Sequence, residues 1–206
     1  MNEDILQQPN QEKLFIKVDI ATEKDWETCR DLRLEAIDSP DAEMFGFTSG
    51  QEKSEENKAK EIAKTEGDWK KELSDPDMFM VLARNGSEAV GMARAFKKTE
   101  NWWHMGWIYT KENFRRKGFG KMMTAKRLDE IKKRGPNVNL VTVFIKVGNE
   151  KSIKNCRSFG FEKVDFSSKE FSQELKLETQ KHFFEIFKLD LNNSAVIKKI
   201  DEILNA

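Results

Sequence analysis

The chain has 206 residues and a mass of 24.0 kDa, the size of one domain with short appendages rather than a multi-enzyme or repeat array. Its 36 Lys+Arg balance 36 Asp+Glu, so no global field exists to hold a nucleic-acid backbone or an anionic membrane, and neither is expected as a partner. Fifteen Phe, eight Met and five Trp supply core material, whereas two cysteines, Cys29 and Cys156, are too few for a disulfide framework or a four-ligand zinc site. The first residues lack the basic-then-apolar order of a signal peptide, and no stretch approaches the ~18 apolar residues of a membrane span. A cytoplasmic protein without a metal is expected.

Residues 1–13 are polar and include Pro9, which predicts a disordered tail ahead of a domain over 14–190. LFIKVDI has the rough alternation of a first strand. Thr22 is a candidate N-cap for a helix that places Trp26, Cys29, Leu32, Arg33 and Ala36 or Ile37 at three- and four-residue spacings, and Ser39-Pro40 ends it. The charge-dense stretch from there to Leu73 has helical composition but a thin apolar face, so it is expected outside the core. After Pro76, two strands flank Asn85-Gly86, a dipeptide suited to the positive φ of a tight hairpin, with Val81, Leu82, Val90 and Met92 buried. A third strand runs from Trp102 to Thr110.

Met122, Ala125, Leu128 and Ile131 then recur at three-residue spacing in a helix that stops at Gly135-Pro136. LVTVFIKV reads as a strand buried on both faces. Asn149 opens a short helix that closes at Gly160, and Phe161 to Phe166 with HFFEIFKLDL form a last strand pair. Ser194 is a candidate cap for a C-terminal helix within 191–206, with Ile197, Ile200, Ile203 and Leu204 on one stripe. Antiparallel hairpins combined with one strand-helix-strand crossover make the class α+β, with helices flanking a mixed sheet.

The segment Arg115-Arg116-Lys117-Gly118-Phe119-Gly120-Lys121 lies between a predicted strand and a predicted helix. Two glycines one residue apart let the backbone turn sharply and bring N–H groups to an anion, and the first helical turn adds donors and the positive dipole end. A solvated basic turn is the plainer reading of the same residues. A Rossmann loop would need Gly at Met123, and a Walker A loop would need Gly at Arg115 and Ser or Thr at Met122. The half-match of Lys117 to Gly120 to an RNA-recognition signature lacks stacking aromatics at Lys121 and Thr124.

IYTKENFRRKGFGKMM resembles motif A of the GNAT superfamily of acetyl-coenzyme A-dependent N-acetyltransferases, with Arg115, Gly118 and Gly120 at the positions of its Q/R-x-x-G-x-G/A signature. NEKSIKNCRSFGF is similar to the motif that follows in that family, with Asn149 opening and Gly160-Phe161 closing the helix. The resemblance spans about residues 14 to 190 and implies a mixed sheet splayed between the strands ending at Thr110 and Val147. Acetyl-CoA would lie in the gap. It further implies that the amides of Arg116, Lys117, Gly118, Phe119, Gly120 and Lys121 hold the pyrophosphate. Main-chain groups near Ile108, Tyr109 and Thr110 would hold the pantetheine arm, together with Asn149 and Ser152.

Such an enzyme transfers an acetyl group directly to a primary amine, which must first lose a proton. His104 stands where some family members place a catalytic Glu, and its ordinary pKa of ~6.5 suits a base; packing at the sheet edge beside Trp102 and Trp103 is the alternative. Glu100 and Glu185 are further candidate bases. The family commonly places a proton-donating Tyr where this chain has Cys156, so either Cys156 gives the proton or it is a buried thiol with water in its place. Asp38, Asp41, Glu43, Glu52, Glu55 and Glu56 would favour a cationic acceptor, or form a solvated acidic loop. A non-catalytic CoA-binding or interaction module of the same fold is the rival reading. The apolar stripe of the C-terminal helix must dock on its own domain or on a second copy, and a symmetric homodimer is favoured.

Overall fold

The structure, a computed structural model, describes residues 15–42, 51–165 and 184–205, with backbone alone at 51–55 and 57. In chain order the elements are β1 (Ile16–Ile20), α1 (Trp26–Asp38), α2 (Gln51–Ile62), α3 (Glu66–Leu73), β2 (Met78–Asn85), β3 (Glu88–Thr99) and β4 (Trp102–Thr110). They continue with α4 (Phe119–Arg134), β5 (Leu140–Lys146), α5 (Glu150–Ser158), β6 (Glu162–Lys163), β7 (Phe184–Asp190) and α6 (Ser194–Leu204). The strands form one sheet in the order β1-β2-β3-β4-β5-β7-β6. Among the described residues only β4 and β5 pair in parallel, because α4 carries the chain back over the sheet between them; the other pairs are antiparallel. This is the expected α+β class.

Alternation along the strands divides the core into two layers. Val81, Val90, Trp103, Met105, Val141 and Val143 face α4, α5 and α6, where they meet Phe119, Met123, Leu128, Ile131, Ile153, Val196 and Ile200. Met80, Leu82, Met92 and Tyr109 face α1 and α3, where they meet Cys29, Leu32, Ala36 and Trp69. Asn85 and Glu88 pair across the β2–β3 turn, in which Gly86 has a φ of 60°, so the hairpin read from Asn85-Gly86 forms as expected.

Some expectations are corrected. The charge-dense stretch is not wholly outside the core, for Trp69 of α3 is 0% exposed. One aromatic ring is enough to dock a short helix whose other faces are solvated. Thr22 caps a single tight turn at Glu23–Asp25 rather than α1 itself, with its N–H donating to Asp25 Oδ2 at 2.9 Å. Asn193, not Ser194, caps α6, its side-chain oxygen accepting from Ala195 N–H at 3.0 Å. On α6 the buried residues are Val196, Ile200 and Ile203, which join the core beside α4. The helix therefore docks on its own domain, and the argument for a second copy covering that stripe is removed. The 1–13 tail and Phe166 lie outside the described residues.

Candidate functional site

The central feature is a divergence of β4 from β5. The two strands pair only from Trp102↔Leu140 to Met105↔Val143. Beyond Met105, β4 carries a bulge: Ala95 faces Met105 and Ala93 faces Ile108, so Gly106 and Trp107 together oppose Arg94. An extra residue bends and twists its strand, which turns the rest of β4 away from β5 and leaves its main-chain groups without a strand neighbour on that side. A cleft of about 250 Å³ opens there, lined by residues that include His104, Gly106, Trp107, Ile108, Phe144, Asn149, Ser152 and Cys156. A larger groove of about 780 Å³ lies between α5 and α6 near Arg157, Lys188 and Lys199. It has neither the splayed strands nor the glycine loop, so volume alone does not mark the site.

The glycine loop leads from the end of β4 to α4. Gly118 has a φ of 94° and Arg116 a φ of 62°, left-handed conformations that aim successive amides outward. The first intrahelical bond is donated by Met122 N–H to Gly118 C=O at 3.0 Å, so the amides of Phe119, Gly120 and Lys121 come before the helix satisfies its own donors. A Cβ placed on Gly120 would meet nothing within 4 Å, which leaves the approach to these amides open. Arg116, Lys117 and Gly118 are exposed, while Phe119 is buried and anchors the helix start. Arg115 turns inward: its Nε donates to Thr110 C=O at 3.0 Å and its Nη1 pairs with Asp41. That residue braces the loop through its side chain and leaves the outward-facing donors to its neighbours. These features fit a diphosphate at the N-terminus of α4.

Side chains from α4 and α5 line the cleft. Asn149 caps α5, its side-chain oxygen accepting from Ser152 N–H at 3.2 Å. Asn155 Nδ2 donates to Thr124 Oγ1 at 2.9 Å, and Thr124 donates to Gly120 C=O at 2.9 Å, so one polar chain ties α5 to the first turns of α4. Arg127, which the sequence reading did not single out, is 2% exposed. Its Nη1 donates to Arg94 C=O at 3.1 Å and Gly106 C=O at 3.2 Å, both carbonyls of the bulge. Burial lowers its pKa to about 10, which leaves it a cation at neutral pH. Thr124 and Arg127 interrupt the apolar stripe of α4, and that interruption is the signal the sequence offered.

His104 lies on the α1–α3 face of the sheet between the rings of Phe96 and Phe144, at 5.1 and 4.5 Å. Its Nδ1 is 3.0 Å from Thr142 Oγ1, which also accepts from Trp102 Nε1 at 2.9 Å. With the indole as donor, the Thr142 hydroxyl is placed to donate to Nδ1, an assignment that puts the imidazole proton on Nε2. Burial, reinforced by Lys98, Arg94 and Arg127, lowers the pKa of His104 to about 3. Cys156 lines the cleft at 6% exposure, and burial raises its thiol to about 11, opposed by Arg127. The Tyr109 side chain points to the opposite face, where its hydroxyl donates to Glu35 at 2.9 Å; only its main chain can serve the cleft.

The other candidates are engaged elsewhere. Glu100 pairs with Lys97 at 2.5 Å with its side chain 92% exposed, and Glu185 pairs with Lys163. From the acidic run, Asp38 pairs with Lys58 at 2.8 Å, Asp41 with Arg115, and Glu56 with Lys60 at 2.6 Å. Glu43 and the side chains of Glu52 and Glu55 lie outside the described residues. Among the described residues, no three His, Cys, Asp or Glu side chains are grouped to hold a metal ion, and no helix is long and apolar enough to cross a membrane.

Residues 37–161 match the model of the acetyltransferase (GNAT) family, a stretch that contains β4, the loop, β5 and α5. Among solved structures the chain is similar to the PaiA N-acetyltransferase from Thermoplasma acidophilum in complex with coenzyme A. The identity is 15%, covering 86% of this chain and 99% of that one, with a TM-score of 0.63. It is similar also to YncA, a putative acetyltransferase from Salmonella typhimurium with acetyl-CoA, at 13% identity over 87% and 95% of the two chains and a TM-score of 0.56. The ribosomal-protein-S18-alanine N-acetyltransferase from Escherichia coli matches at 12% identity over 86% and 94%, again with a TM-score of 0.56. At these identities the likeness is one of fold. Among curated proteins, none matches the chain.

Proposed function

The chain belongs to the acetyltransferase (GNAT) family, and from that premise we propose that it is an N-acetyltransferase that moves the acetyl group of acetyl-CoA directly to a primary amine of a small molecule or protein. The observation that carries this reading is the opening between β4 and β5 immediately behind the glycine loop at the start of α4. Acetyl-CoA, when bound, supplies an already activated thioester, so the chain's task is to bind, orient and manage charge. The amides of Phe119, Gly120 and Lys121 with the α4 dipole hold anionic charge. The free edge of β4 at Ile108 to Thr110 offers main-chain groups to an extended arm, with Asn149 and Ser152 on the opposite wall.

Proton transfer is assigned to water rather than to the two side chains expected from sequence. An imidazole at about 3 is a weak base at neutral pH, where a pKa near the operating pH is best. With its proton on Nε2, His104 acts instead as a hydrogen-bond donor. A thiol at about 11 would protonate a thiolate of ordinary pKa ~8.5 only uphill. Arg127, whose charge opposes that rise, is the group that favours negative charge in the cleft.

The weakness of this acid and base supports a second reading, a CoA-binding module without turnover. Calorimetry with acetyl-CoA and with CoA, followed by thiol release in the presence of an amine panel, tests both. Binding with turnover supports the enzyme, binding without turnover of any amine supports the module, and no binding of either ligand overturns both. A cytoplasmic location is part of the proposal, supported by Cys29 and Cys156 being free, buried thiols.

A further inference from the structure

A cofactor held at the N-terminus of α4 occupies the α4–α5 face, so the reacting amine approaches from the other face of the sheet, where α1 and α3 lie. The charge on that face is cationic. Arg94 projects beside Trp107 and Phe96, its guanidinium carbon 5.9 and 5.2 Å from the two ring centres. Gly106, which lines the cleft, packs against the Arg94 side chain, for a Cβ there would lie 3.6 Å from Arg94 Nε. Lys98 stands over Phe96 at 4.7 Å, and the charges acting on His104 are Lys98, Arg94 and Arg127.

Among the described residues, the carboxylates of this face each have a partner, although Glu72 Oε2 is buried with none of its own. Glu61 pairs with Arg33 at 3.0 Å and Lys64 at 3.0 Å, and Glu72 with Lys64 at 2.7 Å. Glu35 accepts from Tyr109, and of the acidic run Asp38, Asp41 and Glu56 are held in the pairs described above. Several buried donors stay unmatched, Trp69 Nε1 beneath α3 among them, and two of these lie side by side near the cleft: Arg94 Nε and Trp107 Nε1 have no hydrogen-bond partner. A buried donor without an acceptor is costly, and a carboxylate with four lone-pair sites is suited to accept from both a guanidinium and an indole.

We propose that the acceptor carries a carboxylate beside its reacting amine, as an amino acid does, and that Arg94 and the Trp107 indole N–H receive that carboxylate at the mouth of the cleft. This rests on the acetyltransferase reading and opposes the cationic-acceptor alternative read from the acidic run. The same cations disfavour an ammonium at the reaction point, so the bound amine is released from its proton more easily.

The test uses amine pairs that differ only in the carboxylate: phenylalanine with phenethylamine, lysine with cadaverine, and methionine with 3-methylthiopropylamine. Calorimetry measures their affinity for the CoA-loaded protein, and thiol release from acetyl-CoA measures turnover. The carboxylate-bearing members of at least one pair should be favoured by about tenfold or more in Kd or kcat/KM. Arg94→Gln should reduce that preference to about twofold, with acetyl-CoA affinity unchanged, and Trp107→Phe, which keeps the ring and removes the donor, should weaken it in part. Equal or better binding of the carboxylate-free amines, a preference that survives Arg94→Gln, or no binding of either member of any pair overturns the proposal. If acetyl-CoA binds and the carboxylate preference is absent, only this inference falls; if acetyl-CoA does not bind, the acetyltransferase reading falls with it.

Discussion

His104 illustrates how environment sets the chemistry of a side chain. Held between two phenyl rings with cations nearby, its pKa falls from 6.5 to about 3. Between those values the unfolded chain binds a proton that the folded chain refuses. The contribution to stability is therefore complete above pH ~6.5 and is lost as pH falls toward 3, at up to ~1.4 kcal/mol per pH unit. Urea unfolding between about pH 7 and 5, above the range where most carboxylates titrate, should show this slope and show it flattened in His104→Gln. Equal slopes would mean that the ring is not neutral in the native state. Turnover in His104→Gln should fall modestly rather than collapse, because a donor is exchanged for another donor. At Gly120 the expectation differs. A Cβ there meets no protein atom within 4 Å, so Gly120→Val should leave the fold intact, with no helix-propensity cost because Val ranks above Gly in a helix, and lower acetyl-CoA affinity by about a hundredfold or more by filling the approach to the amides. Gly118→Val would add backbone strain of roughly 1–3 kcal/mol, which makes Gly120 the cleaner probe; an unchanged Kd in Gly120→Val would reject the cradle. Arg127 braces the bulge from α4, and Arg127→Ala should destabilise the protein by about 2–4 kcal/mol through a cavity and two unmatched carbonyls. Arg127→Met restores the volume and not the donors. If the guanidinium positions the bulge, Met should regain the cavity part of that stability in thermal melts while kcat stays low.

At the scale of elements, two helices depend on few contacts. Trp69 is the buried residue of α3, and it joins the layer formed by Leu32, Met80 and Met92. Trp69→Ala should cost about 3–5 kcal/mol, read from chemical denaturation. A cost under about 1 kcal/mol would show that α3 docks by its rim charges. The sequence hid this because a lone Trp among Lys, Glu and Asp has no periodic partner, and its burial comes from the strand face beneath it. α6 is the opposite case, since its apolar stripe was plain and only its partner was open. Val196, Ile200 and Ile203 bury at 5%, 3% and 7% exposure in the same chain. Removing the residues after Leu191 forfeits ~1.5–3 kcal/mol for each of those side chains, comparable to the whole stability of a domain. The truncated chain should lose its cooperative melt by circular dichroism. A truncated protein that melts like the intact one would show that the stripe contributes nothing to its own domain.

For the whole molecule, the cleft proposed to hold the cofactor lies within the sheet and depends on β4, α4, β5 and α5 keeping their places. Acetyl-CoA at about a hundred times its Kd should therefore stabilise the native state by ~2.7 kcal/mol, a rise in melting temperature of roughly 5–10 °C for a chain of this size. Gly120→Val should abolish the shift; a protein whose melting is indifferent to acetyl-CoA would contradict the site. Much of this architecture was legible along the chain. Strand alternation, Asn85-Gly86, the Ser39-Pro40 and Gly135-Pro136 stops, and the two glycines of the loop are local rules, because steric limits and nearest-neighbour hydrogen bonds act over a few residues. They determined the element order, the α+β class and the glycine turn at the start of α4, and the spacing of Arg115, Gly118 and Gly120 pointed to the family. Tertiary structure alone decided what each polar side chain faces. It tied Asp38, Asp41 and Glu56 into ion pairs, lowered the basicity of His104, brought Arg127 under the bulge from a distant helix, and left Arg94 and Trp107 with unmatched donors. Those outcomes depend on desolvation and on charges many residues away, and both exist only once the sheet has closed over them.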